Sequence, residues 1–265
     1  AWGPMTTPFS VEGQTAVITG SSQGIGEATA KRFAANGANV VVTSRSPERI
    51  ESVATDINES NRPGEAIAVE CNVREREAVE ALIEATVEEF GRIDSMINNA
   101  GASFMADFDE ISENGWKTIV DINLHGTFHC AQVAGQQMQT QDGGGTIINF
   151  ASITGTMGSQ SMSHYGAAKA GVINLTRSLS AAYADHGIRV NCVAPGLVGT
   201  AGVASQMGIN PTDVDRDDVT KEMGLPAEIA DIVQFLASDA SSYIVGETIT
   251  AQGVPPLEDA QPWDV

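Results

Sequence analysis

Short apolar runs alternate with longer helical patterns along almost the whole chain, and this rhythm narrows the possible folds more than any other feature. The runs are "TAVITG" (Thr15 to Gly20), "ANVVVTS" (Ala38 to Ser44), "EAIAVECNV" (Glu65 to Val73), "RIDSMINNAG" (Arg92 to Gly101), "GTIINFAS" (Gly145 to Ser152), "IRVNCVAPG" (Ile188 to Gly196) and "ETITAQG" (Glu247 to Gly253). Each is short, apolar on both faces and bounded by turn residues, as a strand buried from both sides must be. Between them, Gly24 to Asn36 reads as a helix stopped by Gly37, Pro47 opens another, and Arg74 to Phe90 is an acidic helix ending at Gly91. A longer helix starts at Ser163 and runs to about Asp185. Strands spaced by helices of this length predict a parallel sheet, and right-handed crossovers make it doubly wound, an α/β fold. No linker or repeat interrupts it, so residues 13–253 are expected to form one domain. Residues 1–12 are expected to be an N-terminal extension, of which 1–4 read as an expression remnant, and 254–265 a tail. Residues 197–225 break the rhythm with glycines, a proline and the acidic run Pro211 to Asp218. That segment reads as a lid over a site or as a solvated surface loop.

Charge excludes several function classes. Thirty-four acidic residues face fourteen basic ones, a formal charge of −20 with no single acidic tail. Such a surface repels nucleic acid and anionic membranes. Acids spread over helix faces also suit a salt-rich cytoplasm, where screening weakens self-repulsion, so a halophilic, cytoplasmic protein is expected. No apolar run reaches the roughly 18 residues of a membrane span, and "AWGPMTTPFS" lacks the pattern of a secretion signal. Cys71, Cys130 and Cys192 lie far apart among apolar neighbours and read as buried thiols, not as a disulfide framework or metal site.

"TGSSQGIG" (Thr19 to Gly26) follows the first strand and opens the first helix. Glycines at 20, 24 and 26 suit a tight turn that lets backbone approach a pyrophosphate at a helix N-terminus, with Ser22 and Ile25 in the same turn. The second strand ends in "TSRS" (Thr43 to Ser46), with no acid to accept the adenine ribose hydroxyls. Ser44 and Arg45 could instead hold a 2′-phosphate, which favours NADP(H) over NAD(H); the alternative is an Arg45 turned outward to pair with Glu48.

"SHYGAAKAG" (Ser163 to Gly171) places Tyr165 and Lys169 four residues apart, on one helix face among small side chains. The pair is either ordinary helix surface or a proton-transfer pair. His164 points to another face, as substrate-side lining at best, and Tyr183 and Tyr243 read as packing residues.

Taken in order, "TGSSQGIG", "NNAG" (Asn98 to Gly101), "DINLHGTF" (Asp121 to Phe128), "SITG" (Ser152 to Gly155), "YGAAK" (Tyr165 to Lys169) and "APG" (Ala194 to Gly196) resemble the short-chain dehydrogenase/reductase family, in its TGxxxGxG and YxxxK branch. The resemblance spans Gly13 to Gly253 and implies a seven-stranded Rossmann sheet. It implies that Tyr165 is the general acid/base, that Lys169 activates it and holds the nicotinamide ribose, and that Ser152 polarises the substrate oxygen. Asn123 would hold a water between Lys169 and solvent. Asn98 with the turn Asn99, Ala100 and Gly101 would support the cofactor, and Asn72 with Val73 would stand where an adenine-contacting Asp is more usual. Pro195, Gly196, Val198 and Thr200 match the segment that contacts the carboxamide and diphosphate. The ammonium and an oxidised nicotinamide would pull the phenol below its ordinary value near 10.

The resemblance thus implies hydride transfer between NADP(H) and a small carbonyl or secondary alcohol, with no metal. The expected subtype is a 3-oxoacyl thioester reductase, the alternative a sugar or polyol dehydrogenase; a non-catalytic nucleotide-binding member is the rival of another class. A homotetramer is implied, with a dimer as the alternative, because the tail "AQGVPPLEDAQPWDV" lacks the family's "DGG"-like turn where subunits often meet.

Overall fold

A computed structural model describes residues 8–203 and 211–254. Seven strands form one sheet: β1 (Thr15–Thr19), β2 (Asn39–Ser44), β3 (Ala66–Glu70), β4 (Ser95–Asn98), β5 (Gly145–Phe150), β6 (Ile188–Pro195) and β7 (Thr248–Ala251). Their order is β3-β2-β1-β4-β5-β6-β7. Every pairing is parallel, as the alternation predicts. The order reverses between β1 and β4, and at such a switch point the two outgoing turns diverge and leave a crevice.

The buried runs are continuous because both sheet faces are covered. In register across five strands, Val41, Val17, Met96, Ile147 and Val190 build one face. They pack against α3 (Arg76–Phe90) and α5 (Gly126–Gln139), whose Leu82, Ile83, Cys130 and Met138 are buried there. Ile18, Val40, Val42, Ile97 and Ile148 face the other way, onto α1 (Gly24–Ala35), α2 (Pro47–Glu59) and α8 (Pro226–Ala237). Each buried aliphatic side chain of this kind stabilises the fold by about 1.5–3 kcal/mol relative to exposure. Arg32 of α1 pairs with Asp231 of α8 at 2.5 Å, fastening two neighbours on that face. Pro226 sits at the first position of α8, and Glu228 accepts the Leu225 N–H at 2.8 Å.

α4 (Glu113–Val120) does not stop where α5 begins; a single π turn, Asp121–His125, joins them. The Gly126 N–H reaches five residues back to the Asp121 carbonyl. A short helix, α6 (Thr154–Met157), follows β5 and packs on α7 (Ser163–Tyr183).

The segment before Gly13 joins the body as far as it is described. Val11 is fully buried, the Phe9 ring lies 6.1 Å from that of Phe235, and the Pro8 carbonyl accepts the Ala240 N–H at 2.8 Å. The interrupted segment 197–225 is tied at its two ends: the Gly199 N–H donates to the Gly224 carbonyl and the Gly224 N–H to that of Leu197. Its central residues 204–210, with the remnant 1–4 and the tail from 255 on, lie outside the described residues. The three cysteines are free and buried. Among the described residues no helix is long and apolar enough to cross a membrane.

Candidate active site

The turns leaving β1 and β4 are stitched together at the switch point. Asn99 Nδ2 donates to the carbonyls of Thr19 (2.8 Å) and Gly20 (3.2 Å), and the Ala100 N–H donates to Thr19 Oγ1 at 3.0 Å. Gly20 and Gly24 have φ of +66° and +61°, a region that strains any residue with a Cβ. Gly26 is required for a different reason: a Cβ there would lie 2.5 Å from the Gly20 carbonyl oxygen. Ser21, which the sequence motifs leave aside, locks the turn to β2. Its hydroxyl donates to the Ile18 carbonyl at 2.6 Å and accepts the Thr43 N–H at 2.9 Å.

The result is a cleft of about 610 Å³ between the two turns. Of the residues picked out by sequence, Gly20, Ser22, Gly24, Ile25, Ser44, Arg45, Asn72, Val73, Asn99, Ala100, Gly101 and Thr200 line it. Gly26, in the first turn of α1, is outside its lining, as are Pro195, Gly196 and Val198, at or just past the end of β6. Gln23 and Arg49 also line the cleft and were not anticipated. The Asn72 amide is engaged with the start of α3: Nδ2 donates to Glu75 Oε1 at 2.7 Å, and Oδ1 accepts the Arg74 N–H at 3.3 Å. No ion pair joins Arg45 to Glu48 among the described residues.

A buried chain of amides holds the β4 end. Asn98 Nδ2 donates to Asn149 Oδ1 at 2.8 Å, and Asn149 Nδ2 to Thr176 Oγ1 of α7 at 2.9 Å. Two helical turns N-terminal to that contact, the Lys169 side chain runs inward. Its Nζ donates to the Phe150 carbonyl at 2.7 Å and lies 5.5 Å from the centroid of the Tyr165 ring. Gly155 allows the approach of α6, since a Cβ there would come within 2.8 Å of the Lys169 backbone. Burial lowers the Lys169 pKa from 10.5 to about 8, against a small opposing effect of Cys192.

Ser152 follows β5. Its Oγ accepts hydrogen bonds from Thr154 N–H (3.2 Å) and Thr154 Oγ1 (3.0 Å), and it is hydrogen-bonded to Tyr165. The expected depression of the phenol is absent from the protein itself. Burial raises Tyr165 above its ordinary value, and the Ser152 bond only opposes that effect. Desolvation of the charged form dominates, and Lys169 directs its ammonium to the Phe150 carbonyl.

Asn123 sits on the π turn and is fully buried. Its Nδ2 donates to the carbonyls of Ala102 (2.8 Å) and Ile119 (2.9 Å), while Thr127 Oγ1 donates to the Asn123 carbonyl. Its Oδ1 has no partner. A Cβ on Gly101 would lie 2.8 Å from that oxygen and 3.6 Å from Lys169 Nζ, so both groups face one small space at the floor of the cleft. A buried carbonyl left unpaired is costly unless something polar completes it.

His164 does not line an open surface. It is fully buried, its ring 4.2 Å from that of Phe104, and burial lowers its pKa. Tyr183 packs against Gly135 of α5, whereas Tyr243, expected to pack, is fully exposed.

These observations define a dinucleotide-type α/β fold with Ser, Tyr, Lys and Asn gathered beside the switch-point crevice. Residues 20–253 match the family described as Enoyl-(Acyl carrier protein) reductase. The chain is 37% identical over 242 residues to a 3-oxoacyl-(acyl-carrier-protein) reductase of Synechocystis sp., covering 91% of this chain and 96% of that one. It is 36% identical over 264 residues to the short-chain reductase protein NovJ of Streptomyces niveus, covering 95% and 97%. A crystal structure of a short-chain type dehydrogenase/reductase from Mycobacterium marinum superposes with a TM-score of 0.85 at 33% identity, covering 93% and 96%. The chain belongs to the short-chain dehydrogenase/reductase family of oxidoreductases.

Proposed function

We propose that the protein is an NADP(H)-dependent reductase of carbonyl compounds, acting on 3-oxoacyl thioesters, with Tyr165 as general acid/base. The observation that carries this reading is the common space at Gly101, where the cleft meets Asn123 Oδ1 and Lys169 Nζ. The cleft fits a dinucleotide because Gly20 and Gly24 bring bare backbone to its lining at the start of α1, and Gly26 lets that turn close on itself. Gly20, Ser22, Gly24 and Ile25 would hold the diphosphate at the N-terminus of α1, Asn72 and Val73 the adenine, and Asn99, Ala100, Gly101 and Thr200 the nicotinamide half. Pro195, Gly196 and Val198 would act from the end of β6. Arg45 lines the cleft without an ion-pair partner among the described residues, which supports a 2′-phosphate.

The bound nicotinamide would supply the hydride. Ser152 would hold the substrate oxygen, and the Tyr165 hydroxyl would give it a proton. Lys169, with a pKa of about 8, can exchange that proton near neutral pH, and Asn123 would hold a water that restores it. The names of the carrier-protein reductase relatives support the thioester. The family resemblance supports a homotetramer, and the charge of −20 an adaptation to high salt.

The test is NADPH oxidation with 3-oxoacyl thioesters and, in parallel, sugars and polyols. Tyr165→Phe is expected to lose turnover by two orders of magnitude or more, on the order of a general acid's contribution, while still binding NADPH. Near-normal turnover in that variant would refute the role.

A further inference from the structure

We propose that Arg49 is a second cation for the 2′-phosphate, gripping it from the first turn of α2 opposite Arg45. The inference rests on the nucleotide reading above and goes beyond it, because Arg49 belongs to none of the family's motifs in this chain.

Basic side chains are scarce on this acidic surface. Eight of the fourteen basic side chains hold a carboxylate, while Arg62, Arg177 and Arg189, away from the cleft, have no ion pair among the described residues. Lys31 takes Glu27 and Asp56, each at 2.7 Å, Arg32 and Arg216 share Asp231, and Lys221 holds Glu228 at 3.0 Å. Arg45 and Arg49, four residues apart and both lining the cleft, have no ion pair among the described residues. Glu48, their neighbour in sequence, and Glu70, in strand register with Ser44, pair with neither. Two guanidiniums on the lining of one cleft, neither neutralised by a carboxylate, favour an anion bound between them.

Arg49 is also aimed. Its Nη1 donates to Gln23 Oε1 at 3.2 Å, across from α2 to the glycine turn. Gln23 is a neutral acceptor, so it orients the guanidinium without cancelling its charge, and the other N–H donors stay free. Ser44 completes the set. Its Oγ already accepts the Ser46 N–H at 3.1 Å, which leaves its own proton to donate. Two forks and a hydroxyl match a phosphate dianion with three acceptor oxygens. An unphosphorylated ribose needs none of these cations.

Calorimetric titration of the full chain with NADP+, NAD+, 2′,5′-ADP and 5′-ADP tests this without relying on turnover. The wild type is expected to bind NADP+ more tightly than NAD+. Arg49→Gln should cut that preference about tenfold, the loss of a charge-assisted hydrogen bond, and weaken 2′,5′-ADP in parallel but not 5′-ADP. Arg49→Lys should recover part of the loss. A preference within twofold of wild type in Arg49→Gln would overturn the proposal and leave the Arg45 reading standing. Equal weakening of both ADP isomers would overturn it too, by placing Arg49 on the diphosphate. A wild type with no preference for NADP+ would bring down the underlying nucleotide reading itself.

Discussion

Replacing Lys169 by methionine should abolish turnover and, at neutral pH, leave the fold at least as stable. Holding the ammonium inside lowers its pKa from 10.5 to about 8, which corresponds to about 3 kcal/mol of destabilisation at pH 7. Methionine fills a similar volume without charge. Against that gain stands the Phe150 carbonyl, which loses its 2.7 Å donor at a cost of about 1–3 kcal/mol. The net change at pH 7 is then between zero and about 2 kcal/mol in favour of the variant, a rise of a few degrees in Tm. The pH dependence is more telling than the size. Between pH 8 and 10.5 the unfolded chain binds a proton that the folded chain does not, so wild-type stability rises with pH across that window. Lys169→Met lacks this contribution, and its advantage should shrink by about 2 kcal/mol from pH 7 to 9.5. Urea unfolding of both proteins at the two pH values, followed by circular dichroism, gives the difference directly. A gap that does not move with pH would refute a buried, strained ammonium at this site.

Two further outcomes follow from the glycine turn and the surface charge. Gly26→Ala places a methyl 2.5 Å from the Gly20 carbonyl and 2.8 Å from Ser21 Cα, backbone atoms that cannot yield cheaply. It should cost about 1–3 kcal/mol in urea unfolding and weaken dinucleotide affinity in calorimetry; unchanged values for both would refute the close-approach argument. With a net charge of −20, Tm should climb as KCl is raised from about 0.1 to 1 M, where the screening length falls from about 10 to 3 Å. A flat melting curve would remove the self-repulsion argument.

Strands were the most legible part of the chain because burial on both faces writes them as unbroken apolar runs. Val40 to Val42 follow Gly37 closely and Ile147 to Ile148 follow Gly145, short apolar runs too brief for helices. The cradle was legible for a similar reason, since steric need selects glycine and nothing else at 20, 24 and 26. Helix α8 carries the same proline signal as α2, yet the strand rhythm alone does not single out 226–237. The π turn left no trace, because one extra residue in a helix does not alter composition and barely disturbs periodicity. Gln23 and Arg49 were equally silent: their pairing spans 26 residues and depends on how α2 leans over the glycine turn. The raised phenol of Tyr165 went against expectation because neighbouring charge is visible in a sequence and desolvation is not.

The π turn at Asp121–His125 bears on how this enzyme can change. An added residue shifts the angular phase of everything after it, so Asn123 looks inward while α5 still presents Cys130 and Met138 to the sheet. Point substitution cannot undo that geometry; only deleting a residue could. Such a deletion would tidy the backbone ladder and misalign half the helix, so the irregularity is locked in and should outlast drift in the amino acids around it.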